Sequence, residues 1–486
     1  MSLEPGQQNS LSTHALRGVL YTASPFVLQL FIGVLFYVFV PTEDMGRFEY
    51  ALIFVMFLSV VADLGLSAAL VQNRNVTEEH FHSAFWTSLF AGATLTIVVV
   101  ATAPYLVSYI GSADHEKMVV VLRMMVLLLP FAAISGVFRA KMQRDLRFRP
   151  MAAAEVFSIV SYSIIAVSML GSFGVMSAIV GAVVRELALF VGLWYGSSWT
   201  PAFCFRLPAV RELLRFSLNL TGSRCISYAC NNLPGFVIFP LLGETALAYY
   251  RFAHRLTLMP LARISAVIMR VFFPTFASIQ DDDALLRRGY LRTAQSIALL
   301  YWPFLTLLVF APEAIELLKS IDGRDLGPAS LPLQLLGVAS LLKAVGAAVG
   351  SIFLAKGRAS WLLYWSLFSL SVLFPTLYFG VSNGIVGVAT VVAGSSVLLL
   401  LISQHLTNKL IQLRFVDFIF ALIRPTLVTV FVFVCMLALR LALSVDAVTA
   451  CAIGILGWIV ATVLGMRLFA WKICNNLWKT AWGVSP

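Results

Sequence analysis

GIVGVATVVAGSSVLLLLIS, residues 384–403, is a run of twenty residues without one charged side chain. As a helix rising about 1.5 Å per residue it is about 30 Å long, the thickness of a bilayer's hydrocarbon core. Its apolar residues occupy every side of the helix, so no face is left for water. The same character runs through the chain: of 486 residues 60% are hydrophobic and 12% charged, and mean hydropathy is +0.90. Soluble domains average about 45–50% apolar and about 25% charged, so the solvent for most of this surface is lipid. The 13% aromatic content, with 37 Phe, suits lipid-facing surfaces and interfacial belts.

Cutting at polar and Pro/Gly punctuation predicts an all-α membrane protein of about fourteen spans: 15–40, 45–71, 80–111, 115–143, 149–171, 174–197, 211–241, 243–278, 285–311, 328–355, 360–380, 384–408, 416–441 and 447–471. The amino terminus lacks the basic, apolar and small-residue zones of a cleavable signal, so the first span serves as its own insertion signal. With the amino terminus and every even-to-odd junction placed in the cytoplasm, those loops hold nineteen Lys and Arg and the opposite loops six. Positive charge collects on the inner side, which predicts cytoplasmic termini and an inner-membrane, multi-pass protein. The strongest marker is Lys141-Met-Gln-Arg-Asp-Leu-Arg-Phe-Arg149. The net charge of +11 is thereby explained by topology, without a nucleic-acid partner. No outer loop has room for a catalytic domain, and no Walker, HExxH or GxSxG motif occurs; neither a catalytic residue, a metal site nor a cofactor is predicted. The six cysteines include no CxxC pair and read as small buried hydrophobes.

Residues Arg17–Gln72 and Arg215–Gln280 share a pattern of basic residue, polar-tolerant helix, short outer turn and long second helix. Six spans precede the second copy, so both copies run in the same direction, as in two lobes related by an axis along the membrane normal with substrate between them. The predicted organisation is a cytoplasmic tail (1–14), an N-lobe of six spans (15–200), a C-lobe of six (201–410), and an added helix pair with a cytoplasmic tail (411–486).

The eighth span carries Arg251, Arg255, Arg263 and Arg270. At about 100° per residue they fall within an arc of about 120°, and the outermost two are about 28 Å apart. An Arg at the bilayer centre costs about 2.5–3.5 kcal/mol on insertion scales, so this row predicts a wet cationic face; Arg270, near the end, can equally snorkel. Lys343 and Arg185 add positive charge, although Arg185 precedes Glu186 and can pair with it. The seventh span is unusually polar, and its Asn219, Ser223, Arg224, Ser227, Tyr228, Asn231 and Asn232 are candidates to meet a sugar and its charged group. Carboxylates in the spans are few (Asp63, Glu155 and Glu186), which argues against a small-cation cargo. Guanidinium groups suit phosphate, whose oxygens they bind two at a time. Asp281-Asp282-Asp283 reads as the cap and acidic first turn of the ninth span.

Ala62-Asp63-Leu64-Gly65-Leu66-Ser67-Ala68-Ala69-Leu70-Val71-Gln72, then Thr77-Glu78-Glu79 and Phe85-Trp86, resembles the polysaccharide transporter family, the Wzx-type flippases of the multidrug/oligosaccharidyl-lipid/polysaccharide superfamily. Phe273-Pro274-Thr275-Phe276 with Gln280-Asp281-Asp282, the loop from Arg139 to Arg149, and Ala355-Lys-Gly-Arg358 are similar to it as well. The resemblance covers about residues 10–410 and implies a two-lobed transporter working by alternating access. Its implied cargo is an undecaprenyl-pyrophosphate-linked oligosaccharide carried from the cytoplasmic to the periplasmic leaflet. A polysaccharide polymerase and a chain-length regulator are the implied protein partners. The segment Lys319-Ser-Ile-Asp-Gly-Arg-Asp-Leu-Gly-Pro-Ala departs from the family's outer turn. Asp63 and Glu155 are candidates for ion coupling, with a helix-breaking or packing role beside Gly65 as the other reading of Asp63. A cation or drug antiporter and a membrane glycosyltransferase or polymerase are the rival functions; the arginines oppose the first, and the lack of an external acid or base opposes the second.

Overall fold

Hydrocarbon offers no hydrogen-bond partner, so each segment satisfies its backbone within itself, and helix is the consequence. The computed structural model describes residues 27–482 except 74, 324, 359 and 444, and within that range leaves aside the side chains of 216, 218–220, 270, 271, 273–275, 277, 278 and 472–482. Among the described residues there is no strand. The first helices are α1 (Val27–Phe39), α2 (Thr42–Ala62), α3 (Leu66–Gln72), α4 (Glu78–Ile110), α5 (His115–Met125) and α6 (Leu129–Arg144). Then come α7 (Phe148–Phe173), α8 (Val175–Ser197), α9 (Leu207–Leu242), α10 (Glu244–Ser278), α11 (Asp283–Leu305) and α12 (Ala311–Asp322). The chain closes with α13 (Ser330–Gly346), α14 (Val349–Ala355), α15 (Ser360–Val381), α16 (Gly384–Ile411), α17 (Phe415–Ala442) and α18 (Ala447–Trp482).

Twelve stretches among the described residues are long and apolar enough to cross a membrane, two short of the fourteen spans read from the sequence. The other two readings fall on α1, described over thirteen residues, and on α10, several of whose side chains lie outside the described residues. At 35 residues α10 is still about 52 Å long.

Several spans read as single helices are broken. The predicted 45–71 helix ends at Ala62, because Leu64 and Gly65 take positive φ (49° and 67°) before α3 begins. A side chain on Gly65 would also crowd Ser217 and Thr221 of α9, so conformation and space both favour glycine there. The predicted 328–355 helix breaks between Gly346 and Val349, and the 115–143 helix tightens to 3₁₀ at Val126–Leu128. The segment after the ninth span is not an open loop: α12 fills it, and Glu313 there accepts from Arg440 of α17 at 2.6 Å. Asp282 caps α11 as its sequence predicts, accepting from the amides of Ala284 and Leu285 at 2.8 and 3.0 Å.

The chain divides into two compact units, one holding the described residues up to Arg251 together with Ser366–Ile385, the other Phe252–Trp365 and the chain from Val386 onward. This division runs through α10, and α9 packs along α2 within the first unit. In that unit α7 pairs with α8, and α4 and α6 close a core around Phe81, Phe85, Phe138 and Trp199. In the second, α11 packs on α13 and α17, and α17 pairs with α18 around Val428, Val432 and Met436. The amino-terminal tail (1–14) lies outside the described residues.

Candidate functional site

The first unit concentrates its buried polar chemistry where α2 meets α9 and the start of α10. Aromatic rings hold the two long helices together: Tyr50 stacks on Phe239 at 4.2 Å, and Phe57 lies 6.1 Å from Tyr228 and 6.3 Å from Phe236. At one end Gly46 lets α2 approach so closely that a Cβ there would overlap the backbone carbonyl of Glu244. That approach brings Arg47 within 2.5 Å of both Glu244 and Asp44, and Arg47 and Glu244 are both buried. Glu244 also accepts from Ser112 and from the Ala113 amide in the turn before α5, so one carboxylate ties three chain segments together. In the same turn Asp114 accepts from the Lys117 amide at 3.1 Å, which holds its carboxyl below the usual range.

One turn further along α2 lies Glu49, with no exposed surface. It accepts from Arg251 Nε at 2.9 Å and from the Tyr37 hydroxyl at 3.1 Å. Fourteen residues beyond, about 21 Å along the helix, Asp63 ends α2. One of its oxygens accepts from the Ser67 hydroxyl and, at 3.4 Å, from the Ser67 amide, capping α3; the other faces Arg224 of α9 at 3.5 Å. The Ser217 hydroxyl donates to the Leu64 carbonyl at 2.7 Å, which helps satisfy the backbone at the break. The two pairs differ in kind. Arg251 is 17% exposed and tightly held; Arg224 is 47% exposed and loosely held.

The cationic row expected along the eighth span meets a carboxylate at its first member. Arg251 has a countercharge, Glu49, which the count of carboxylates in the spans passed over. The physical reason is cost: a guanidinium withdrawn from water recruits a carboxylate when one is in reach. Arg185 lies 3.9 Å from Glu186, the pairing allowed for, and Glu155 lies 3.9 Å from Arg139. Arg255 is half-buried and Arg263 exposed, both on the α10 stretch of the second unit, and Lys343 is exposed on α13. The side chains of Arg270 and Asn219 lie outside the described residues.

The polar face of α9 is partly consumed by the protein itself. The Tyr228 hydroxyl donates to the Ile53 carbonyl at 3.0 Å, Ser227 meets Ser366 at 2.9 Å, and Asn232 donates to the Tyr228 carbonyl at 3.0 Å. Asn231 is exposed and Ser223 half-buried. No group of three or more His, Cys, Asp and Glu among the described residues could hold a metal ion.

An all-helical, multi-pass membrane protein with paired charges in its helix contacts is the class that fold and site define. The chain belongs to the polysaccharide biosynthesis protein family, whose pattern matches residues 39–320. It is similar to the teichuronic acid biosynthesis protein TuaB of Bacillus subtilis, 26% identical over 378 residues that cover 77% of each chain. It is also similar to the lipopolysaccharide biosynthesis protein WzxC of Escherichia coli, 24% identical over 345 residues, 70% of this chain and 69% of that one. The solved structure of the lipid II flippase MurJ in an inward closed conformation shares the fold, with a TM-score of 0.78 at 15% identity, across 94% of this chain and 100% of the other.

Proposed function

We propose that the protein is a flippase for an undecaprenyl-pyrophosphate-linked oligosaccharide, the repeat unit of an exopolysaccharide, capsule or O-antigen. In this reading it sits in the bacterial inner membrane with both termini cytoplasmic, and moves the head group to the periplasmic leaflet by alternating access. The family match over residues 39–320 carries the reading. The named activity of the structural neighbour, that of a lipid II flippase, is in keeping with it.

Arg224 is the first contact for the pyrophosphate. Its partner is loose at 3.5 Å, nearly half its side chain is open, and Asp63 retains the Ser67 bonds when the guanidinium leaves. A planar fork that binds two phosphate oxygens at once gains more from the cargo than from a single distant carboxylate. Arg255, Arg263, Arg270, Lys343 and Arg185 are the further candidates for the anion, and Ser223 and Asn231 for the sugars. The Arg251–Glu49 pair is too buried to open for each cargo, and serves to hold α10 against α2. Asp63 is the candidate for ion coupling, since loss of its charge would release Arg224. A polymerase and a chain-length regulator would act on the delivered unit; no catalytic step is assigned to this chain.

The test is the leaflet of accumulated lipid-linked oligosaccharide in a deletion strain complemented by variants. Arg224→Ala is expected to leave the intermediate on the cytoplasmic face at normal protein abundance. Protection of the same strain against cationic dyes, with polymer export unaffected, would instead identify a cation antiporter.

A further inference from the structure

Away from the site just described, the second unit carries a groove of about 390 Å³ between the first turns of α11 and α17. Arg288 and Arg292, one turn apart on α11, line one wall, and Arg424 on α17 lines the other, with Asp417, Leu291 and Phe420 between. The walls are fixed. Arg287 donates to the Gln412 carbonyl at 2.9 Å, Gln295 donates to the Ala421 carbonyl at 2.8 Å, and Tyr290 stacks on Phe418. No described carboxylate lies within ion-pairing distance of Arg288, Arg292 or Arg424, although other arginines and lysines of this unit, such as Lys356 and Arg440, have such partners.

Depth makes the lack of partners informative. Arg292 and Arg424 each lie nine residues into their helices, about 14 Å from the end. The 28 residues of α17 are about 42 Å long, close to a bilayer with its head groups included, about 40–45 Å. The three guanidinium groups therefore occupy the phosphate layer and the edge of the hydrocarbon, where an Arg is retained when it meets an anion or water. Beside them the surface is strongly apolar: Phe420 is 65% exposed, and Ile419 and Ile423 are exposed as well.

We infer that this groove binds an anionic glycerophospholipid of the surrounding leaflet, its phosphodiester held by Arg288, Arg292 and Arg424 and its acyl chains lying along Phe420 and Ile423. The apolar wall gives a lipid something that a soluble phosphate cannot use. Three guanidinium groups against one carboxylate leave the groove net positive, which favours a charged head group over a zwitterionic one. The site stands apart from the cargo contacts and does not depend on them.

The experiment is native mass spectrometry of the purified full chain titrated with defined lipids. Phosphatidylglycerol is expected to be retained and phosphatidylcholine not. Arg288→Gln, Arg292→Gln and Arg424→Gln should each weaken retention about fivefold, and the triple variant about a hundredfold. Asp417→Asn moves the opposite way, tightening retention by removing the opposing charge, so a general loss of fold cannot mimic the pattern. Unchanged retention in the triple variant, or phosphatidylcholine held as tightly as phosphatidylglycerol, overturns the proposal. Competition by glycerol phosphate at the concentration effective for the lipid also overturns it, since a water-soluble anion would then suffice.

Discussion

Changing Arg251 to Gln removes the guanidinium that Glu49, a carboxylate with no exposed surface, faces at 2.9 Å. At 2.9 Å and an effective dielectric of about 20, the gross attraction between the two charges is about 6 kcal/mol. Desolvation offsets part of it, and breaking such a pair from one side costs about 3–5 kcal/mol. The structure orders the two single changes within that range. Arg251→Gln sits at the upper end, because the group left behind is fully buried. Glu49→Gln sits at the lower end, because Arg251 retains 17% of its side-chain surface. The double variant replaces the ion pair by two amides of similar size able to bond each other, and should cost far less than the sum. A coupling of about 3 kcal/mol is expected from the cycle. The assay is unfolding of the purified protein by SDS in mixed micelles, wild type against the two singles and the double. Additive single effects, or a Glu49→Gln variant that costs more than Arg251→Gln, would refute the assignment of Glu49 as the countercharge.

Gly46→Val should destabilise by about 1–3 kcal/mol or prevent folding, read as lost monodisperse protein, because the new side chain meets the Glu244 backbone. Arg224→Ala should lower polymer export about 10–100-fold at unchanged membrane abundance, with Arg224→Lys intermediate, since an ammonium keeps the charge and loses the fork. The Arg255→Ala, Arg263→Ala double variant should abolish export; normal export would remove both from the cargo path. Asp282→Ala should cost about 0.5–2 kcal/mol through the lost cap of α11, measured in the same SDS titration.

The architecture was legible because its signal is long and redundant: about twenty apolar residues per crossing, punctuated by charge. The breaks were not. Asp63 and Gly65 are two residues inside an apolar stretch, and a reading that averages over a whole span passes across them. Once the positive φ of Leu64 and Gly65 is known, the quoted stretch Ala62–Gln72 explains itself as helix end, cap and new helix. Glu49 was hidden for a different reason. Its neighbours Pro41, Thr42, Glu43 and Asp44 look like an exposed turn, and Gly46, which lets two backbones meet, marks the start of the packing, from Met45 onward. Sequence spacing gave the arginines of α10 a common face, but spacing along one helix is silent about what the next helix places opposite.

The Glu49–Arg251 pair also has a history written into its spacing. The two residues are 202 positions apart, so at about 5–20 residues per second the carboxylate is made roughly 10–40 s before its cation. Tyr37, synthesised twelve residues earlier, is a partner already present during that wait. Biogenesis of this protein thus includes an interval in which α2 holds an acid whose cation has not yet been made, and the ribosome must deliver α10 before that pair can close.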